Sequence, residues 1–234
     1  MDDDAKEARK IYNKYAKIFE KRGNSNEDRK IITKIVLSLL GEVENKKILD
    51  AGCGGGNECK LLAKKKAKVF GIDVSEEMLK IAMKKCKGYG VKFFQRDMER
   101  TGFKDESFDI IISLFSIHYK RNLERVLKEF YRILREDGKI LVVVPHPIQK
   151  MIEYSKNYFE RGKHWEVHGE MKYFNYYFTL EDYINAFSKN FKIEKILEIP
   201  SLKEKNYPHF LLIKAKKLNH PELCSNIRSL EFWL

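Results

Sequence analysis

The chain has 234 residues, 43% of them hydrophobic and 12% aromatic, enough for one large domain with a real core or one domain carrying an insertion. Charged residues make up 34%, the net charge is +12, and no apolar run reaches the roughly 18 residues of a membrane span. The amino terminus, MDDDAKEARK, is acidic with no signal-like apolar stretch behind it, so a cytoplasmic protein with no membrane partner is expected.

In chain order, the spacing of Ile11, Tyr15, Ile18 and Phe19 predicts a helix from Ile11 to about Lys21, broken by Gly23-Asn24-Ser25-Asn26. A second helix is predicted from about Asp28 to Leu40, with Gly41 as its stop. The pattern then changes to short apolar runs separated by helical stretches. KILDAG, KVFGIDV, VKFFQRD, FDIIISLF and KILVVVP read as five strands. Between them, Ser75 caps a helix with Glu76 and Glu77 in its first turn, and Leu123 to Leu134 is helical, ended by Asp137-Gly138. Such alternation argues for parallel βαβ units with both sheet faces covered.

From Met151 to Phe178 the alternation lapses into an aromatic-rich stretch without a clear period. Thr179 opens another helix, with Asp182 completing a capping box. FKIEKILEI and HFLLIKAK then read as strands joined by too short a connection for a parallel crossover. The expected fold is therefore α/β, a doubly wound and mostly parallel sheet with a reversed final strand.

The +12 charge invites a nucleic-acid partner, but stretches such as KLLAKKKAK and LKIAMKKCK account for much of it as solvated helix faces. Cys53, Cys59, Cys86 and Cys224 form no C-x-x-C pair and read as reduced thiols.

Asp50-Ala51-Gly52-Cys53-Gly54-Gly55-Gly56 sits where the first strand hands over to a helix. Glycines there let a ligand approach the backbone, and the helix amino terminus behind them offers unpaired N–H groups to an anion. Asp50 adds a carboxylate that could hold a ligand ammonium, directly or through water. A dinucleotide fingerprint would need a glycine where Asn57 stands, which weakens a nicotinamide reading. Asp73 ends the second strand, the place from which a carboxylate accepts from two ribose hydroxyls. Asp97 and Met98 end the third strand, where an acid can accept from an adenine amino group. Together these residues point to a bound adenosine.

ILDAGCGGG, GIDVSEEML, QRDMER and FDIIISLFSIHY, in this order and spacing, resemble the class I S-adenosylmethionine-dependent methyltransferases, type 11 in particular. YRILREDGKILVVVPHP and PHFLLIKAKK look like that family's fifth strand and closing reversed strand, so the resemblance runs from about Lys46 to Lys217. It implies a Rossmann-like sheet of seven strands with one antiparallel, S-adenosylmethionine as cofactor, S-adenosylhomocysteine as product and no metal. Carried over by position, Gly52, Cys53, Gly54 and Gly56 border the cofactor's methionine part. Asp73 binds its ribose, with Val74 and Met78 beside it. Asp97 and Met98 meet the adenine, and Leu114 and Phe115 lie along the cofactor. Ser113-Leu114-Phe115-Ser116 stands where enzymes acting on amino groups of bases carry an N/D-P-P-aromatic signature.

The resulting expectation is methyl transfer by in-line displacement to a small-molecule acceptor. A tRNA or rRNA acceptor and a non-catalytic cofactor-binding regulator are the alternatives. His118 and His146, just beyond the fourth and fifth strands, are the candidate bases. Trp165, Tyr173 and Tyr176 are the candidate acceptor contacts. His164 and His168 lack the helical context of a metal pair. In domain terms, residues 1–45 form helices of the same domain capping the cofactor. Residues 46–217 form the core, with 148–178 as a substrate-cap insertion, and 218–234 form a tail in which Asn219 to Leu234 could make a short helix with Leu230, Phe232 and Trp233 apolar.

Overall fold

The computed structural model describes residues 1–219, so Cys224 and nearly all of the expected tail lie outside the described residues. Two helices lead, α1 (Asp3–Ser25) and α2 (Glu27–Leu40). The core then alternates: β1 (Lys47–Ala51), α3 (Asn57–Lys64), β2 (Lys68–Asp73), α4 (Glu76–Lys85), β3 (Lys92–Gln95), β4 (Phe108–Leu114), α5 (Leu123–Ile133) and β5 (Leu134–Pro145). A short α6 (Pro147–Lys150) and a π-helical turn over Met151–Ser155 lead to β6 (Gly162–His168) and β7 (Met171–Tyr177). The described chain closes with α7 (Leu180–Ser188), β8 (Phe191–Pro200) and β9 (Pro208–Lys217).

Seven strands form one sheet in the order β3-β2-β1-β4-β5-β9-β8. Every pair up to β5 is parallel, and β9 runs antiparallel to both β5 and β8. β9 is thus the reversed strand that the short β8–β9 connection requires.

Both sheet faces are apolar, as strands buried on two sides must be. Leu49, Ile111, Val142 and Ile213 pack against α5 and α7 through Val126, Phe130 and Phe187. Ile48, Ile112, Val143 and Leu212 point the other way, toward Ile32 and Val36 of α2, Leu62 of α3 and Leu79 of α4. The capping signals act as read: Ser75 accepts from the Met78 N–H, and Thr179 with Asp182 completes a capping box.

Three sequence expectations need correction. α1 starts at Asp3, with the Asp2 side chain accepting the Ala5 N–H, eight residues before the first periodic apolar position, and runs through Gly23-Asn24 to Ser25 before Asn26 ends it. Asp137-Gly138 does not end a helix. α5 stops at Ile133, Leu134 already pairs with Phe108, and the ladder resumes at Lys139 opposite Ile110, so Asp137, at φ 60°, lies in a bulge of β5. The aromatic stretch is not irregular either: β6 and β7 form an antiparallel hairpin around Gly169-Glu170, with Gly169 at positive φ.

The hairpin leans on α1, where Phe174 and Tyr176 pack with Ala8 and Ile11. α1 and β7 thereby roof the carboxyl-terminal edge of the sheet, and a cavity forms beneath them.

Candidate active site

The strand ends converge on a cavity of about 360 Å³, a usual size for a small-molecule site. Gly52, Cys53 and Gly54 line it from the β1 loop, Asp73, Val74 and Met78 from the end of β2 and the start of α4, and Asp97 and Met98 from beyond β3. Leu114 and Phe115 line it from β4.

Gly52, at φ +78°, sits where a Cβ would strike the Ser116 side chain at 2.3 Å. Ser116 and Ser113 both donate to the Ala51 carbonyl, at 2.8 and 3.0 Å, which fastens the end of β4 to the loop after β1. Asp73 is buried, and burial raises its pKa. Its two oxygens accept the N–H groups of Gly54 and Ser75, each at 2.9 Å. An ionised carboxylate has about four acceptor positions, so two remain for a ligand diol.

Asp97 is held by a residue the sequence patterns did not mark. Lys120, only 3% exposed, places its ammonium 2.8 Å from Asp97 and 3.1 Å from Asp2, beside Glu99. Phe115 is a non-glycine residue at φ 58°, with its ring edge-on to Phe210 and under the Arg29 guanidinium. Such a backbone persists only where packing imposes it.

α1 and α2 supply the remainder of the lining. Tyr12 and Phe19 stack with ring centres 4.4 Å apart. Arg29 bonds Glu58 at 3.0 Å, and Thr33 donates to the other Glu58 oxygen at 2.9 Å. The Arg29 Nε is buried without a hydrogen-bond partner among the described residues. Burial alone would lower the Arg29 pKa, but Glu58 carries it above its ordinary value, so the guanidinium stays charged. These residues carried no local motif. Periodicity marked α1 and α2 as helices, and only tertiary packing brings them over the strand ends.

Several expected site residues do not reach the cavity lining. Asp50 lies beneath the loop, where Cys59 Sγ donates to it at 3.2 Å; burial, then Glu58, raises its pKa to about 7. Gly56 instead packs α3 on α4, since a Cβ there would meet Ala82 at 3.0 Å. His146 is fully buried but caps α6: its Nδ1 accepts from the Ile148 N–H at 3.1 Å and its Nε2 meets Glu198 at 2.9 Å. Trp165 lies half-exposed opposite Phe174, outside the cavity lining, with its ring between Lys163 and Lys172. Tyr176 alternates away from the cavity; its hydroxyl donates to Asp4 at 2.8 Å. His164 stacks on Tyr177, and among the described residues no cluster of three His, Cys, Asp or Glu could hold a metal.

His118 and Tyr173 do line the cavity. His118 rides on a 3₁₀ turn over Ile117–Tyr119, is buried, and its Nδ1 lacks a hydrogen-bond partner among the described residues. Burial, then the charge of Lys150, holds its pKa down at about 3, so the ring is neutral at ordinary pH. The arrangement brings a glycine-rich loop, a buried carboxylate with free acceptor positions and a neutral imidazole into one partly apolar space.

A family model described as a methyltransferase domain, type 11, matches residues 49–142. An uncharacterized protein of Haemophilus influenzae is 30% identical, over 89% of this chain and 97% of its own length. The malonyl-[acyl-carrier protein] O-methyltransferase of Hamiltonella defensa is 32% identical over 54% of this chain, which spans about half of that relative's length. Among solved structures, a candidate S-adenosylmethionine-dependent methyltransferase of Listeria monocytogenes superposes with a TM-score of 0.71 at 25% identity, covering 79% of this chain and 96% of its own. Among the described residues no helix is long and apolar enough to cross a membrane.

Proposed function

The chain belongs to the type-11 class I S-adenosylmethionine-dependent methyltransferases, and from that premise we propose that it transfers the methyl group to a small-molecule acceptor held under α1 and the β6–β7 hairpin. When bound, S-adenosylmethionine supplies a methyl group on an already activated sulfonium, so the protein's task is mainly alignment. Placement of that kind can contribute roughly 7–11 kcal/mol to lowering a barrier.

The observation that carries the reading is the convergence of the Gly52–Gly54 loop, Asp73 and Asp97 on one cavity. In this reading Asp73 takes the ribose hydroxyls on its free acceptor positions. The Nε of Arg29, without a partner among the described residues, suits the cofactor's carboxylate, a charge-assisted contact that the sequence patterns did not mark. Met98, Leu114 and Phe115 form the apolar bed for the adenosine, and Val74 and Met78 flank it. His118, neutral and open to a new hydrogen bond, is the candidate base, which matters where the acceptor is a hydroxyl or a protonated amine.

A small acceptor is favoured over RNA by how the basic residues are engaged. A second groove is lined by Arg121, Arg161, Lys163, Lys189 and Lys192, and Asp4, Asp182, Glu7 and Glu124 respectively pair with the first four. Phosphate contacts would have to displace those carboxylates. The test is transfer of labelled methyl from S-adenosylmethionine into fractionated cell extract. Label in the small-molecule fraction supports the proposal; label in tRNA or rRNA alone overturns it.

A further inference from the structure

One wall of the cavity carries charge that cofactor binding does not use. Lys150, at the end of α6, lines the cavity with its side chain 12% exposed, and both Glu166 oxygens hold its ammonium, at 2.7 and 2.9 Å. Glu166 on β6 is buried, takes a third bond from the Tyr177 hydroxyl at 3.1 Å, and stays out of the cavity lining. The pair is a dipole with its ammonium end toward the cavity. Removing two charges from water this far is costly, and apolar residues would fill the space more cheaply.

Two further polar atoms on cavity residues, His118 Nδ1 and an amide oxygen of Asn175, are buried and without a partner among the described residues. Asn175 and Tyr173 share a face of β7, as alternate residues of a strand do. Tyr12, Phe19 and Tyr173 give the space flat walls, with the Phe19 and Tyr173 ring centres 6.2 Å apart.

Building on the methyltransferase reading above, we propose that this wall is the acceptor subsite and takes a planar phenol or enol, its oxygen facing Lys150, its hydroxyl hydrogen-bonded to the neutral His118, and a neighbouring donor group bonding Asn175. An ammonium stabilises an oxygen that is losing its proton. The same ammonium opposes an amine, which gains positive charge as it is methylated. A carboxylate has no proton to give and would leave His118 idle. The step balances: the O–CH₃ bond forms as the S–CH₃ bond breaks, with the electron pair of that bond left on the thioether sulfur. The hydroxyl proton is released to solvent as the Lys150 ammonium lowers the acceptor's pKa, and the neutral imidazole orients the oxygen by accepting its hydrogen bond beforehand. Besides Glu166, the ionisable groups around Lys150 include Glu153, Tyr154, Tyr177, His118 and His168, with the ammonium 4.9 Å from the Tyr154 ring centre and 5.9 Å from that of Tyr177.

The test uses 4-nitrophenol, catechol and 2-naphthol on the full chain saturated with S-adenosylhomocysteine, with ionisation of the bound probe followed by its phenolate absorbance. At least one probe is expected to bind and to ionise about one pH unit or more below its free value, the effect of an opposite charge within hydrogen-bonding reach. Lys150→Met with Glu166→Gln removes both charges without stranding a buried carboxylate, and is expected to abolish that shift while S-adenosylhomocysteine still binds by calorimetry. Failure of all three to bind, a shift absent or upward, or a shift that survives in the double variant overturns the assignment. Failure of the wild type to bind S-adenosylhomocysteine would instead sink the methyltransferase reading on which it rests.

Discussion

A Cβ added to Gly52 would lie 2.3 Å from the Cβ of Ser116, so the loop after β1 and the turn after β4 meet with no space for even one methyl group. That contact sets where the glycine loop stands relative to Leu114 and Phe115. Gly41 makes a natural control: it too has positive φ, at 71°, yet nothing among the described residues lies within 4 Å of its Cβ position. Both alanine substitutions incur backbone strain, and only Gly52→Ala adds overpacking, so it is expected to cost about 1–3 kcal/mol more than Gly41→Ala. Urea unfolding checks the difference, and cofactor binding should suffer in Gly52→Ala alone. Equal losses of stability would contradict the packing described.

Lys120 neutralises a cluster of Asp97, Asp2 and Glu99 beside the cavity. Lys120→Met leaves the buried Asp97 uncompensated and is expected to destabilise by about 3–5 kcal/mol. Adding Asp97→Asn should recover much of that loss. If the double variant unfolds no later than the single one, the pair is not what stabilises this end of α1.

His146 has both ring nitrogens engaged away from the cavity. His146→Ala is expected to lower stability by about 0.5–2 kcal/mol, the usual loss for a helix cap, with methyl-donor affinity unchanged. Methyl-transfer activity that collapses while the fold and cofactor affinity persist would return His146 to the list of candidate bases.

Acid unfolding separates two buried groups of opposite sign. The folded His118 pKa is about 3, against about 6.5 when unfolded. Below pH 6.5 the unfolded chain takes up a proton that the native one refuses, so stability falls toward pH 3 by about 1.4 kcal/mol per pH unit. Asp50, raised to about 7 from 3.8, acts in reverse: its protonation in the fold adds stability as pH falls from 7 toward 4. Urea midpoints from pH 7 to pH 4.5 should therefore fall more steeply in Asp50→Asn than in wild type, and less steeply in His118→Phe. Parallel profiles for all three would show that neither group is held as described.

What could be read from the sequence divides along a physical line. The βαβ order, the reversed last strand and the caps at Ser75 and Thr179 were legible, because each rests on a local pattern of period, cap or connection length. The β6–β7 hairpin was not, because the aromatic residues of Met171–Tyr177 fall on both faces of the strand, as Tyr173-Phe174 and Tyr176-Tyr177, and mask the alternation that its pairing imposes. Of the site, the residues at strand ends were legible from the glycine loop and its spacing to Asp73 and Asp97. The ion pairs of Arg29 with Glu58, Lys120 with Asp97 and Lys150 with Glu166 were not. Their partners lie on different elements, and among 46 basic and 34 acidic residues nothing local marks them. Strand-end position alone also misassigned His146, since the chain turns into α6 there and draws the ring into a cap.

The most direct test of the central claim is calorimetric titration of S-adenosylmethionine into wild type and Asp73→Ala. The account expects micromolar binding by the wild type, weakened roughly ten- to a hundredfold by the substitution, which removes charge-assisted bonds to the ribose. A wild type that ignores S-adenosylmethionine, or an Asp73→Ala variant that remains folded and binds it equally well, would contradict the cofactor site placed here.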